Sequence, residues 1–401
     1  MEACGLVVEY NPFHYGHQYH LKQARKETDA DCMIAVMSGN FLQRGEPAIL
    51  DKYHRAKAAI LGGVDLVVEL PYAYAVQNSD HFARGAIETL FHSGVSAVCF
   101  GSESGNIAAF TDAYQLQKEH LYAYEANLKR YLNQGFSYPD AATKAYRHIS
   151  GLSEILDVSQ PNNILGLGYV RAIKDAHYPI RPVTIQRIEN NYHDTAITGK
   201  IASATSIRKE VLTNTSTSAS AADSMPDETL QILTSYKQKA GHWHDWELYF
   251  PFLKYRVQTM NAAELEQIEG VIEGLEHRIK RTAAEASTFQ DWMHALKTKR
   301  YTWTRLQRIF VHILTNTKKE EQILGHDTGY VRVLGMNKTG QTYLNQQKKQ
   351  ADLPFITKIN QISHPFLQIE ERAAKAYYSV LAADKQRNFF LQEMTSPIIV
   401  K

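Results

Sequence analysis

Asn11-Pro12-Phe13-His14-Tyr15-Gly16-His17 follows directly on the apolar run Gly5–Val8 and leads into Tyr19 to Lys26, a segment with helical spacing. Two imidazoles therefore stand where a first strand turns into a first helix. A helix start there offers unpaired backbone N–H groups and the positive end of the macrodipole, and Gly16 admits a bound anion close to the backbone. Pro12 favours an extended entry into the turn. Paired histidines can donate to the oxygens that gain charge when an α-phosphorus is attacked in line. A lone histidine near a helix start is more often a cap or a packing residue, and His-x-Gly-His is a short pattern. Its strand–turn–helix setting is what points to phosphate chemistry.

Outward from this turn, the first half of the chain alternates short apolar runs with helical patterns, which predicts a parallel α/β sheet covered on both faces. The expected strands are Gly5–Glu9, Met33–Met37, Asp65–Glu69, Ala97–Phe100 and Arg181–Ile188, separated by helical stretches such as His54–Leu61 and Asp80–His92. Ligands of such sheets collect beyond the carboxyl ends of the strands, so the loops Asn11 to His17, Ser38 to Glu46, Leu70 to Tyr72, Gly101 to Gly105 and Glu189 to Asp194 carry most interest. The Ser-, Thr- and Ala-rich run from Asn214 to Asp227 cannot bury much surface and marks a boundary. Expected are a Rossmann-like catalytic domain over 1–213, a linker over 214–227 and a mainly helical domain over 228–401. In the last, Leu265, Ile268, Val271, Ile272, Leu275 and Ile279 follow helical spacing, as does Arg305 to Leu314.

The 401 residues allow two or three domains. Glu9 closes the first apolar run, and Asp65 and Glu69 interrupt the most apolar later one, so neither a membrane span nor a secretory signal is expected, and the cytoplasm is the expected location. Cys4, Cys32 and Cys99 are far apart and odd in number; they read as buried thiols, with no zinc site and no disulfide-linked partner expected. Lys and Arg exceed Asp and Glu by only two over the whole chain. Between Arg278 and Lys319, however, ten basic residues face two acidic ones, interleaved with Trp292, Tyr301, Trp303 and Phe310. Such a segment suits a nucleic-acid backbone, and Lys297, Lys299, Arg300, Arg305 and Arg308 are the expected phosphate contacts; a solvated helix face is the plain alternative.

A second anion-friendly helix start is Ser203-Ala204-Thr205-Ser206-Ile207-Arg208, where hydroxyls, N–H groups and a guanidinium suit the β- and γ-phosphates of a nucleotide. Ser203, Thr205 and Arg208 are its candidate ligands; an ordinary N-cap is the alternative. Together with His14-Tyr15-Gly16-His17 it resembles the HxGH nucleotidyltransferase superfamily.

The likeness narrows. Glu9 to His14, Met37 to Ala48, Val68-Glu69-Leu70-Pro71, Phe100-Gly101-Ser102-Glu103, Gln160 to Gly166, Tyr192-His193-Asp194 and Tyr330 to Gly335 resemble, in this order, the bacterial tRNA(Met) cytidine acetate ligase family. The resemblance implies an ATP-dependent ligase that activates acetate as acetyl-adenylate and passes the acetyl group to N4 of the wobble cytidine of elongator tRNA(Met). It implies an ATP site on Val7, Val8, Glu9, Tyr10, Asn11, Pro12, Phe13, His14, Tyr15, Gly16, His17, Gln18, Tyr19 and His20, with Gly101, Asn162 and Arg187. His14 and His17 are the implied catalytic pair. Mg2+ is expected with the nucleotide, and no protein metal site. One departure is Arg187-Ile188-Glu189-Asn190-Asn191-Tyr192, where the family has a Gly-containing stretch; Asn can take the left-handed conformation instead.

No general base for the cytidine amine can be read from the sequence; Asp51, Asp80 and His81 are candidates. A nucleotidyltransferase that adenylylates a small phosphorylated cofactor precursor uses the same two motifs and is the nearest rival. An aminoacyl-tRNA synthetase lacks support because no Lys-Met-Ser-Lys-Ser-like loop occurs. A non-catalytic RNA-binding module needs neither motif.

Overall fold

The protein is described by a computed structural model over residues 1–151, 156–187, 203–213, 219–272, 274–323 and 328–401. Strands β1 (Ala3–Val8), β2 (Cys32–Ser38), β3 (Leu66–Leu70), β4 (Ala97–Ser102), β5 (Arg181–Gln186), β6 (Val331–Met336), β7 (Phe355–Ile356) and β8 (Ile398–Ile399) form one sheet. Its order is β5-β4-β1-β2-β3-β6-β7, with β8 also paired to β6. β1 to β5 are mutually parallel, and β2, β3 and most of β1 are buried, as an apolar run needs when helices cover both faces. All five expected strands are present within two residues at each end; Ile188, and the Glu189 to Asp194 loop, lie outside the described residues. From β1 the chain builds β2 and β3 on one side and β4 and β5 on the other, so the strand order reverses between β1 and β4. A crevice opens at the carboxyl ends of those two strands.

The sheet continues beyond the boundary expected at 214–227. β6, far down the chain, pairs antiparallel with β3, and β7 and β8 extend that edge. Residues 228–401 are otherwise mainly helical, as expected. β6 is not among the expected strands; Arg332, a charge that ordinarily calls for water or a partner, sits amid its apolar residues. In the fold Arg332 lies directly across from Glu69 and is buried, so its charge is met within the sheet. Arg332 contacts Glu69 at 2.9 Å and Glu393 at 2.6 Å; Lys52 contacts the same carboxylates at 2.6 and 3.0 Å. Two cations and two anions thus neutralise one another out of water, with Tyr53 donating to Glu393.

The stripe Leu265 to Ile279 does not form one helix. It splits into Ala262–Glu266 and Leu275–Glu285, because Gly270 and Gly274 adopt φ of 80° and 76° between them. Leu265, Ile268, Val271, Leu275 and Ile279 are still core. Trp303–Thr315 is helical around the expected Arg305 to Leu314. Of the expected linker, 214–218 lie outside the described residues; the rest contains the short helix Ala219–Asp223 and meets the helix beginning at Asp227. All three cysteines are buried free thiols. No helix among the described residues is long and apolar enough to cross a membrane.

Candidate active site

Helix α1 (Tyr15–Thr28) starts at the expected turn, and His14 is its cap: the Gly16 N–H donates to His14 Nδ1 at 3.0 Å. That bond occupies Nδ1 as an acceptor, so the neutral ring carries its proton on Nε2 and presents a donor there. His17, one turn on, lies against His14 with ring centroids 3.7 Å apart, and Tyr10 meets His17 edge-on at 4.9 Å. Among the described residues Tyr10 Oη, His17 Nδ1 and His20 Nε2 are buried and have no hydrogen-bond partner. Polar atoms are seldom left so unless something else binds them.

These groups line a cavity of about 1110 Å³ beyond the carboxyl ends of β1 and β4. From the expected ATP segment, Val7, Val8, Glu9, Tyr10, Asn11, His14, Gly16, His17, Tyr19 and His20 line it; Pro12, Phe13, Tyr15 and Gln18 do not. Phe13 is instead packed over Gly62 in the core, and the Tyr15 N–H is held by the Ser224 carbonyl. Gly101, Asn162, Arg187, Ser203, Thr205 and Arg208 all reach the same cavity.

Each of these is placed by a local device. Gly101 lets the Arg187 side chain pass; a Cβ there would stand 3.3 Å from Arg187 Cγ. Asn162 opens the helix Pro161–Asp175, where Glu103 accepts its N–H and its side-chain amide at 3.2 and 2.6 Å. Glu103 is remote in sequence from the helix start that it caps, so only the fold sets this role. Ser203 caps the helix Ala204–Thr213 by accepting the Ser206 N–H at 3.1 Å, so the N-cap reading and the pocket position hold together. Arg208 donates to the Asn11 carbonyl at 3.0 Å and meets Glu46 at 3.3 Å, tying this second helix start to the first turn.

The facing wall comes from elsewhere. The loop between β2 and helix α2 (Lys52–Leu61) supplies Gln43, Arg44 and Glu46, and the end of the basic segment supplies Arg300, Arg305 and Arg308. Gly45 in that loop takes φ of 74° and lies so close to Gln307 and Arg308 that a Cβ would strike their backbone. Arg308 donates to the Gln43 carbonyl at 3.3 Å; burial first, then Arg305 and Arg44, lower its guanidinium to about 10, still fully charged at neutral pH. The structure thus divides the expected phosphate contacts: Arg300, Arg305 and Arg308 reach the cavity, whereas Lys297 and Lys299 are exposed residues that do not line it. The arginine-bearing loop after β2 was flagged by its position at a strand end, but no pattern in it signalled which side chains face inward.

The candidate bases fall away from the cavity. Asp51 caps α2 and holds His54 at 2.8 Å; Asp80 accepts from Tyr138 and Arg171; His81 is held by Asn78. None of the three lines it.

Burial lowers His14 to about 3 and His20 to about 4 and takes His17 well below the usual range, with Arg187 adding to all three. Burial does the same to His244 and His312, each to about 3. In the unfolded chain histidine titrates at about 6.5, so below that the unfolded state binds more protons and stability is lost as pH falls. Glu370 opposes this: burial, then Glu69, raises it to about 8, so it favours the fold at lower pH. Burial raises Glu9 and Glu269 in the same sense as Glu370, and the six lowered histidines among the described residues, His364 included, outweigh these three carboxyls. Urea titrations of the ligand-free protein are therefore expected to give lower stability near the folded histidine values than above the unfolded one; equal midpoints would contradict the buried neutral imidazoles.

The chain matches the HIGH Nucleotidyl Transferase family over residues 1–392. It is 57% identical over 400 residues to a tRNA(Met) cytidine acetate ligase of Oceanobacillus iheyensis, covering 100% of both chains. To the protein of that name from Bacillus subtilis it is 46% identical over 399 residues, covering 98% of this chain and 96% of the relative. The crystal structure of Thermotoga maritima TmcAL bound with alpha-thio ATP superposes with a TM-score of 0.90 at 32% identity, covering 100% of each chain; the apo form gives 0.92. Likeness that spans the full length of the chain in both sequence and fold leads to one assignment: the chain belongs to the tRNA(Met) cytidine acetate ligase family of HIGH nucleotidyltransferases.

Proposed function

We propose that the protein is an ATP-dependent ligase that joins acetate to N4 of the wobble cytidine of elongator tRNA(Met), working in the cytoplasm. One observation carries the reading: the histidine pair and Arg300, Arg305 and Arg308 line a single cavity. An enzyme that must hold a nucleotide-activated acyl group against a polyanion needs both sets of side chains. A transferase that adenylylates a small cofactor precursor needs only the histidines.

Acetate has no leaving group of its own, because oxide would have to depart; as acetyl-adenylate it leaves AMP. In the first step the acetate carboxylate attacks the α-phosphorus of ATP and pyrophosphate departs. The Nε2–H of His14, His17, and the helix start at Ser203, Thr205 and Arg208 stabilise the charge gathering on phosphate oxygens. Gly101, Asn162 and Arg187 hold the adenosine end. In the second step the cytidine amine attacks the mixed anhydride, and orientation contributes heavily because its lone pair is delocalised into the ring.

Residues 1–213 serve the nucleotide and 228–401 the tRNA, whose phosphates meet Arg300, Arg305 and Arg308 at the cavity and Lys297 and Lys299 on the outer surface. Among the described residues no cluster of three or more His, Cys, Asp or Glu is disposed to hold a metal. Mg2+ is accordingly proposed to arrive on the triphosphate, and no step is routed through it.

Incubation with ATP, Mg2+, labelled acetate and total tRNA, followed by nucleoside analysis, is expected to place label in N4-acetylcytidine. Unlabelled tRNA, or a dinucleotide product from a phosphorylated precursor, defeats the reading.

A further inference from the structure

We infer that Glu9 is the base that takes the proton from the attacking cytidine amine. This rests on the acetyl-transfer reading above.

Glu9 follows the last residue of β1, five positions before His14, and lines the cavity. Its Oε1 accepts the Gln43 N–H at 3.0 Å; among the described residues Oε2 makes no hydrogen bond. Its carbonyl is gripped by Arg55, which is wholly buried and also reaches the carbonyls of Ser38, Gly39 and Leu50. The backbone under the carboxylate is thereby anchored to the loop after β2.

Gln43 links this carboxylate to Arg308. Its N–H goes to Glu9, its carbonyl receives Arg308 at 3.3 Å, and its side-chain amide donates to the Gln77 carbonyl at 2.9 Å. Glu9 thus shares one cavity with Arg308, to which Gln43 joins it, and with His14 and His17. A cytidine held there by the arginines against the adenylate has this carboxylate in the same cavity.

The other carboxylates that line the cavity are held otherwise: Glu46 is paired with Arg208, Asp140 is bonded to Ser137 at 2.6 Å, and Glu269 accepts from the Gln77 side chain at 3.5 Å. The histidines are donors rather than acceptors toward phosphate, and burial keeps them weakly basic.

The step balances. The N4 lone pair forms the C–N bond at the acetyl carbonyl, N4 gives its proton to the Glu9 carboxylate, and the C–O bond to phosphate breaks with its electron pair leaving on AMP. The Glu9 carboxyl then returns the proton to water. Burial raises the Glu9 carboxyl above the usual range; the Gln43 N–H, Arg44 and Arg208 lower it and Glu46 raises it, while Arg55 and Tyr169 also stand close by. A raised value makes the carboxylate a better proton acceptor and leaves it ionised only above that value, so transfer must fail on the acid side.

The test supplies acetyl-adenylate and tRNA(Met) directly, bypassing the first step, and follows single-turnover transfer against pH. The wild-type rate is expected to fall on the acid side as Glu9 takes up its proton. Glu9→Gln is expected to slow transfer by about 10²–10⁴ and to flatten that fall. Glu9→Asp, which keeps the carboxylate, is expected to keep the fall with a lower plateau, and it serves alone if the glutamine variant does not fold. A glutamine variant that retains the wild-type rate or the acid fall, or an aspartate variant that transfers independently of pH, overturns the assignment, and the proton then goes to the leaving phosphate. If the wild type itself transfers nothing, the failure belongs to the acetyl-transfer reading and not to Glu9.

Discussion

Alanine at His14 or at His17 is expected to lower acetate-dependent ATP–pyrophosphate exchange by about 10²–10³, the usual effect of removing one donor from a site of developing negative charge. The ring of His14 is fixed by the Gly16 N–H on Nδ1, so its Nε2–H points away from its own helix start, and the His17 ring lies against it with centroids 3.7 Å apart and planes tilted by 33°. Two donors set this rigidly need no reorganisation when pyrophosphate leaves. The double variant is expected to lose less than the product of the two single effects, because the rings act on one charge and orient one another. Exchange near the wild-type level in a folded double variant would remove the histidines from the mechanism. His14 is buried and His17 half-buried, and neither is part of the sheet core, so thermal melting should change far less than exchange.

Arg332→Ala is expected to cost about 3–5 kcal/mol of stability, the penalty for leaving buried charges without their partner. Glu69 and Glu393 would each lose a contact below 3 Å, and Lys52 alone would face two carboxylates. Because Arg332 lies on β6 and Glu69 on β3, the loss falls where the C-terminal half joins the sheet. Glu393→Gln should act in the same direction from the other side of the cluster. Denaturant titration measures both; a loss below about 1 kcal/mol, the worth of an exposed pair, would mean water reaches the cluster.

The parallel half of the sheet was legible because its strands are short apolar runs closed by turn residues, and burial on both faces leaves that pattern little freedom. The histidine turn was legible for a related reason: strand, Pro, Gly and helix follow one another within a dozen residues, and local geometry alone sets the two rings on one helix face. Ser203 to Arg208 could be read the same way, as a helix start. The stripe at Leu265 to Ile279 misled because glycines at 270 and 274 interrupt a helix without disturbing the apolar spacing.

The sequence by itself determined the local matters: which segments form the parallel strands β1 to β5, where the first helix begins, and that two imidazoles and a second helix start bearing hydroxyls and a guanidinium exist at all. Tertiary structure alone decided that Arg332 belongs inside a strand, since a buried guanidinium is tolerable only when Glu69 and Glu393, far away in the chain, bring carboxylates to it. It also decided which members of one basic segment face inward, because the close approach of Gly45 to the Gln307–Arg308 backbone seats Arg308 beside Gln43 while Lys297 and Lys299 remain outside. Charge in a sequence declares only a need for partners or water; which of the two it receives depends on contacts between residues hundreds of positions apart.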